Sequence, residues 1–219
     1  MNYLTHGFRF TDEPYFLAGT AAPDWLNVID RKMRLRGKTA AEFVADEDAE
    51  LAAFARGVVR HHHDDGWFHQ TAAFHDLSLA FTVEIRGRLP ADDGFRPSFL
   101  GHILVELLLD ATLAAERPEI LYNYYNSLTG LDPFLVQNII NRLATRTSDG
   151  IALLIPRFCQ ERFLYDYADD QRLLVRLNHV LRRVGLAQLP ADLAELFPAM
   201  RLAVADRRDD LLPPENMNP

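Results

Sequence analysis

The chain has a single cysteine, Cys159. One thiol closes no internal disulfide and completes no cysteine-based zinc motif, so the sequence fits a reducing compartment and thiol chemistry is not expected. An unbroken apolar run is missing at the N-terminus, where His6 and Arg9 interrupt MNYLTHGFRF, and no later stretch reads as membrane-spanning. These absences predict a cytoplasmic protein without integral membrane association. Positive charge is also in short supply: 23 Lys and Arg stand against 31 Asp and Glu, and the net charge of -8 disfavours a protein built to grip nucleic acid. Alternating apolar and polar segments of the β type are few, and no Asn-Gly pair marks a hairpin.

What the chain does have is helical periodicity. Hydrophobic residues make up 48% and charged residues 25%, enough apolar surface for a packed core in 219 residues. The pattern predicts an all-α single-domain helical bundle over 1–210 and a flexible tail over 211–219, where three prolines gather. Helices are expected over 13–29 with a kink at Pro23, 39–59 with Thr39 and Glu42 as a capping box, 64–85, and 97–115. Others are expected over 118–128, 133–146, 157–184 and 191–205. A basic stretch, Arg31 to Lys38, reads as a solvated helix end and turn.

Two constellations carry chemistry. Five of the eight histidines fall between His61 and His75, and a helix through them puts His61, Asp65 and His69 at i, i+4 and i+8 on one side. His102, Glu106 and Asp110 repeat that spacing in a segment otherwise almost wholly apolar. A buried carboxylate needs a partner, and mixed imidazole and carboxylate groups at this spacing suit zinc, manganese or iron. The competing structural reading is a buried hydrogen-bond network in a non-catalytic helical scaffold. Tyr122, Tyr124 and Tyr125 read as packing aromatics, and His75 and His179 as structural.

The opening Asn2-Tyr3-Leu4-Thr5-His6, Gly19-Thr20 with Asp24, Gly57 with His61 and Asp65, and the helix from His102 to Glu106 together resemble the acyl carrier protein phosphodiesterase family in order and spacing. The resemblance covers roughly the first two-thirds of the chain. It implies an HD-phosphohydrolase-like fold, a divalent metal ion and hydrolysis of a phosphoester, with acyl carrier protein as the partner and substrate. Where that family usually carries aspartates this chain has His69, His102 and Glu106, which favours zinc or another nitrogen-preferring ion over magnesium. A second likeness joins Gly19-Thr20-Ala21-Ala22-Pro23-Asp24 with Gly101-His102 and Asp110, which look like segments of zinc-dependent phospholipase C-like proteins.

The expectation from sequence is therefore a metal-dependent phosphoesterase. His6, Asp24, His61, Asp65, His69, His102 and Glu106 are the candidate ligands, the ion zinc or manganese. Asp65 or Asp110 is the candidate proton acceptor. His62 and Arg60 are the nearest candidates for touching the phosphate, with solvent-facing positions the simpler expectation for both.

Overall fold

The structure, a computed structural model, describes residues 1–90 and 94–216. Among the described residues every regular element is a helix and none is a strand. The α-helices are α1 (Tyr3–Gly7), α2 (Pro14–Ile29), α3 (Gly37–Ala40), α4 (Ala49–Phe68), α5 (Ala72–Arg88) and α6 (Pro97–Glu116). They continue with α7 (Glu119–Thr129), α8 (Pro133–Leu143), α9 (Ile151–Glu161), α10 (Asp170–Val184), α11 (Phe197–Asp206) and α12 (Arg208–Leu211). The all-α expectation holds.

Several boundaries differ from those the sequence suggests. No helix runs from Thr39; Gly37–Ala40 and a 3-10 turn at Ala41–Phe43 precede a break, and α4 starts after Asp48. Asp48 is the effective cap, since its Oδ1 accepts from the amides of Glu50 and Leu51 at 3.1 Å. The helix then continues through the histidine string to Phe68, where Thr71 caps the next one by accepting from the Phe74 amide. The long helix expected over 157–184 is broken at Arg162, whose φ of 44° ends α9 in the left-handed region. Arg31 and Lys32 form the expected exposed turn just past the end of α2, and the segment beyond it to Arg36 is extended rather than helical. Met33 and Leu35 are buried while Arg34 and Arg36 are exposed. Part of the expected tail at 211–219 lies outside the described residues; within them Leu211 and Leu212 are buried and Pro214–Asn216 is a 3-10 turn.

The chain divides into two compact units. Unit 1 holds Met1, Tyr3–Gly66 and Pro118–Arg162; unit 2 holds Asn2, Trp67–Arg117 and Phe163–Pro219. In unit 1 the core is aromatic: the Phe158 ring meets Tyr3 at 5.1 Å and both Trp25 and Tyr125 at 5.7 Å. Tyr124 and Tyr125 are fully buried while Tyr122 is exposed, so two of these three tyrosines are packing residues. In unit 2, α5 lies along α6. By length and hydropathy α6 passes for a membrane span, contrary to the expectation that no stretch would. Even so, 61% of its apolar stretch is buried, as in the core helix of a packed unit.

One close approach in unit 1 sets the site. At Gly19 a Cβ would overlap the Phe54 carbonyl oxygen of α4, and at Gly57 one would overlap the Phe16 carbonyl oxygen of α2. Hydrogen at both positions lets α2 and α4 cross backbone to backbone. Gly57→Ala is expected to cost about 3 kcal/mol in urea unfolding, at the upper end for overpacking because the obstacle is backbone. Gly66→Ala is the control: nothing lies within 4 Å of its added Cβ. There the change is expected to leave stability unchanged or to raise it by up to about 1 kcal/mol.

Candidate metal centre

The glycine crossing has a direct consequence one residue along α2 and one turn along α4. Thr20 follows Gly19, His61 follows Gly57 by four residues, and the Thr20 carbonyl lies 2.8 Å from His61 Nδ1. A carbonyl only accepts, so Nδ1 carries the proton and donates. His61 Nε2 is thereby left with its lone pair, 3.6 Å from Asp65 Oδ2.

His6 completes the group from α1. Its ring stacks on His61 with centroids 4.0 Å apart, and its Nε2 lies 3.3 Å from Asp65 Oδ1. The side chain is buried, yet among the described residues neither ring nitrogen has a partner at hydrogen-bonding geometry. A buried imidazole with both nitrogens unmatched is costly unless something else takes up a lone pair. For comparison, neighbouring donors on a tetrahedral ion with bonds of 2.0–2.1 Å stand about 3.3 Å apart. One ligand atom from each of His6, His61 and Asp65 lies within 4.8 Å of the other two.

The charge states suit a cation. Burial lowers the His6 value from its ordinary 6.5, and the nearby Asp65 carboxylate does not reverse it. Burial and the adjacent His6 push His61 well below the same value. Both imidazoles are therefore neutral at pH 7. Burial opposes ionisation of Asp65, but His6 beside it and the Met1 nitrogen at 2.8 Å hold the carboxyl well below the usual carboxylate range. Two neutral nitrogens and one anionic oxygen form a donor set fitted to zinc or manganese.

These lowered imidazole values set a pH dependence in metal-free protein. Below about pH 6.5 the unfolded chain binds protons that folded His6 and His61 do not, so the fold is favoured above that value and loses stability as pH falls through it. The urea midpoint of chelator-treated protein is expected to fall between pH 7.5 and 5.5. An unchanged midpoint would contradict the two burial-lowered imidazoles.

A second triple lies in unit 2. α4 ends at Phe68, so His69 is in the turn just beyond it, and its Nε2 lies 2.9 Å from Glu106 Oε1. His102 Nε2 approaches the same oxygen at 3.1 Å from one turn earlier on α6. The edge of Phe74 packs against both rings, 4.9 Å from His69 and 4.8 Å from His102. Gly101, next to His102, lets α6 approach the Ser78 carbonyl and Thr82 of α5. Burial opposes ionisation of Glu106, yet positive charge acting on it, and then hydrogen bonds from His102 and His69, hold its carboxyl below the usual range. Here the polar groups satisfy one another.

The other candidates stand apart from both triples. Asp24 lies half-buried on α2 and belongs to neither. Asp110 is buried in unit 2, where Asn2 Nδ2 donates to its Oδ2 at 2.7 Å. His62 is exposed and bonds the Leu35 carbonyl at 2.8 Å. Arg60 does not face solvent; it is buried and paired through Nε with Asp64 at 2.7 Å. Sequence reasoning passed over Thr20 as a contributor, because its part is played by the backbone carbonyl and carries no side-chain signature.

Comparison with protein-family models, with curated proteins and with solved structures finds no match for this chain.

Proposed function

We propose that the His6, His61 and Asp65 triple binds a zinc or manganese ion and that the protein is a metal-dependent phosphoesterase of HD-like all-α type. The observation that carries the metal assignment is His6: buried, neutral, stacked on His61 and without a hydrogen-bond partner at either nitrogen. His61 is held in one tautomer by Thr20, and Asp65 supplies the negative charge. Three protein ligands leave a fourth position for water or substrate, as in catalytic rather than structural zinc sites. Asp65, about a third exposed, marks the side open to solvent. An ion bound there supplies a Lewis acid that lowers the pKa of water toward neutrality and polarises a phosphoryl oxygen. The phosphoester class is supported by the resemblance to acyl carrier protein phosphodiesterases.

For His69, His102 and Glu106 the geometry favours a second reading, a hydrogen-bonded polar network, because both imidazoles already have the Glu106 oxygen as partner.

The test is hydrolysis of bis-p-nitrophenyl phosphate and of holo acyl carrier protein by untagged protein supplied with zinc or manganese. Metal-dependent turnover on either substrate, abolished in His61→Ala and retained in His75→Ala, is expected. No turnover on either with metal bound would refute the enzyme reading and leave the metal site standing.

A further inference from the structure

A cleft of about 400 Å³ opens in unit 1 between the end of α7, the start of α8 and the second half of α9. It shares no residue with the metal triple, and its volume is that of a small-molecule site. Leu128, Leu131, Pro133, Ile155 and Pro156 give it apolar walls. Its polar groups are few. The Thr129 hydroxyl donates to the Tyr125 carbonyl at 2.7 Å, inside α7. The Cys159 thiol is buried in the wall, and burial raises it above its ordinary value of 9.0. A hydrogen bond with Thr129 and then the positive charge of Arg162 offset that rise only in part, so the Arg162 cation stands close enough to act on the thiol.

Arg162 is the one charged residue on the walls. Its guanidinium lies 5.9 Å from the ring centre of buried Tyr125, and among the described residues no carboxylate pairs with it. The two acidic groups nearest in the chain are turned elsewhere. Glu161 takes Arg157 at 3.0 Å, and Asp132 caps α8 by accepting from the Phe134 and Leu135 amides. Arg162 is also the one non-glycine residue with a positive φ among the described residues. Helices that end in this left-handed conformation usually do so at glycine, because a Cβ is strained there. Glycine would satisfy the backbone, so an arginine held at that cost points to a use for its side chain.

We infer that the cleft is a binding site for a small amphipathic carboxylate, with its apolar body between the walls and its carboxylate on the Arg162 guanidinium. A planar fork of donors takes a carboxylate through two parallel N–H bonds. A purely polar anion would leave the apolar walls in water, so the ligand needs both parts. The assignment does not depend on the phosphoesterase reading.

Octanoate is the probe, titrated calorimetrically into metal-free and zinc-loaded protein beside octanol and octylammonium. One octanoate per chain is expected, with equal affinity in both metal states and a gain of about fourfold per methylene from butanoate to octanoate. Octanol and octylammonium are expected to bind at least about tenfold more weakly, the worth of a charge-assisted hydrogen bond. Arg162→Gln is expected to lower octanoate affinity by about that factor and to leave octanol unchanged. Arg162→Gly, which suits the left-handed backbone, is expected to do the same. Arg31→Gln, an exposed cation elsewhere in unit 1, is expected to match the parent. Cys159 is the single cysteine and lies on the cleft wall, so its labelling by N-ethylmaleimide reports occupancy of this place. Octanoate is expected to slow that labelling in the parent. An unchanged labelling rate, parent-like octanoate affinity in both Arg162 variants, an equal loss in Arg31→Gln, or octanol binding as tightly as octanoate would each overturn the inference. So would binding confined to zinc-loaded protein, which would put the carboxylate on the metal.

Discussion

Removing the divalent ion with a chelator is expected to lower the melting temperature by about 5–10 °C, and added zinc or manganese to restore it. An ion present at about 100 times its dissociation constant stabilises by about 2.7 kcal/mol, and a chain of this size moves by about 2–4 °C per kcal/mol. The effect belongs to unit 1, where His6 has no other partner for its lone pair. Without the ion, the His6 imidazole stacked on His61 is buried with unmet polar capacity. His6→Ala should therefore be less stable than the parent with metal present and respond little to chelation. Scanning calorimetry of protein shown by elemental analysis to be metal-free decides this. A melting curve identical with and without zinc would mean that His6 is buried at a cost the rest of unit 1 meets alone.

Asp64→Asn is expected to destabilise the protein by about 3–5 kcal/mol, because it leaves the Arg60 charge buried without its counter-ion. Asp64 is 1% exposed, Arg60 is 9% exposed, and Arg9 lies close enough to Arg60 for like-charge repulsion to add to the loss. Replacing the pair together, as Arg60→Met with Asp64→Leu, is expected to recover most of the stability, since apolar groups of similar size need no counter-charge. Urea unfolding of the three proteins provides the measurement. A cost under about 1 kcal/mol for the single change is what an exposed ion pair would show, and would contradict the burial described here.

The fold class was legible in the sequence, as was part of the candidate site. Apolar positions at helical spacing were enough for an all-α architecture, because each helix needs only one buried stripe. Boundaries were less legible. The histidine string looked like the start of a helix, but whether α4 began at Thr39, Asp48 or Asp64 depended on which of several polar residues turned its side chain back to the backbone. Asp48 and Thr71 did so. Within the site, the i, i+4 pair of His61 and Asp65 followed from spacing, and His6 entered through the family resemblance. Asp24 and Asp110 share that order along the chain but lie in neither triple. The i+8 neighbour, His69, is carried off the helical stripe by the end of α4. One feature had no sequence signature at all: the Thr20 carbonyl that sets the His61 tautomer.

The central claim, that His6, His61 and Asp65 hold a divalent ion, is tested most directly by metal stoichiometry in protein purified without an affinity tag. Comparing variants with the parent isolates this triple whatever other groups bind. Elemental analysis is expected to show His6→Ala and His61→Ala each falling by about one equivalent below the parent, the content of a mononuclear site, while His75→Ala is unchanged. Equal metal content in all four proteins, or none in the parent after exposure to zinc and manganese, would contradict it.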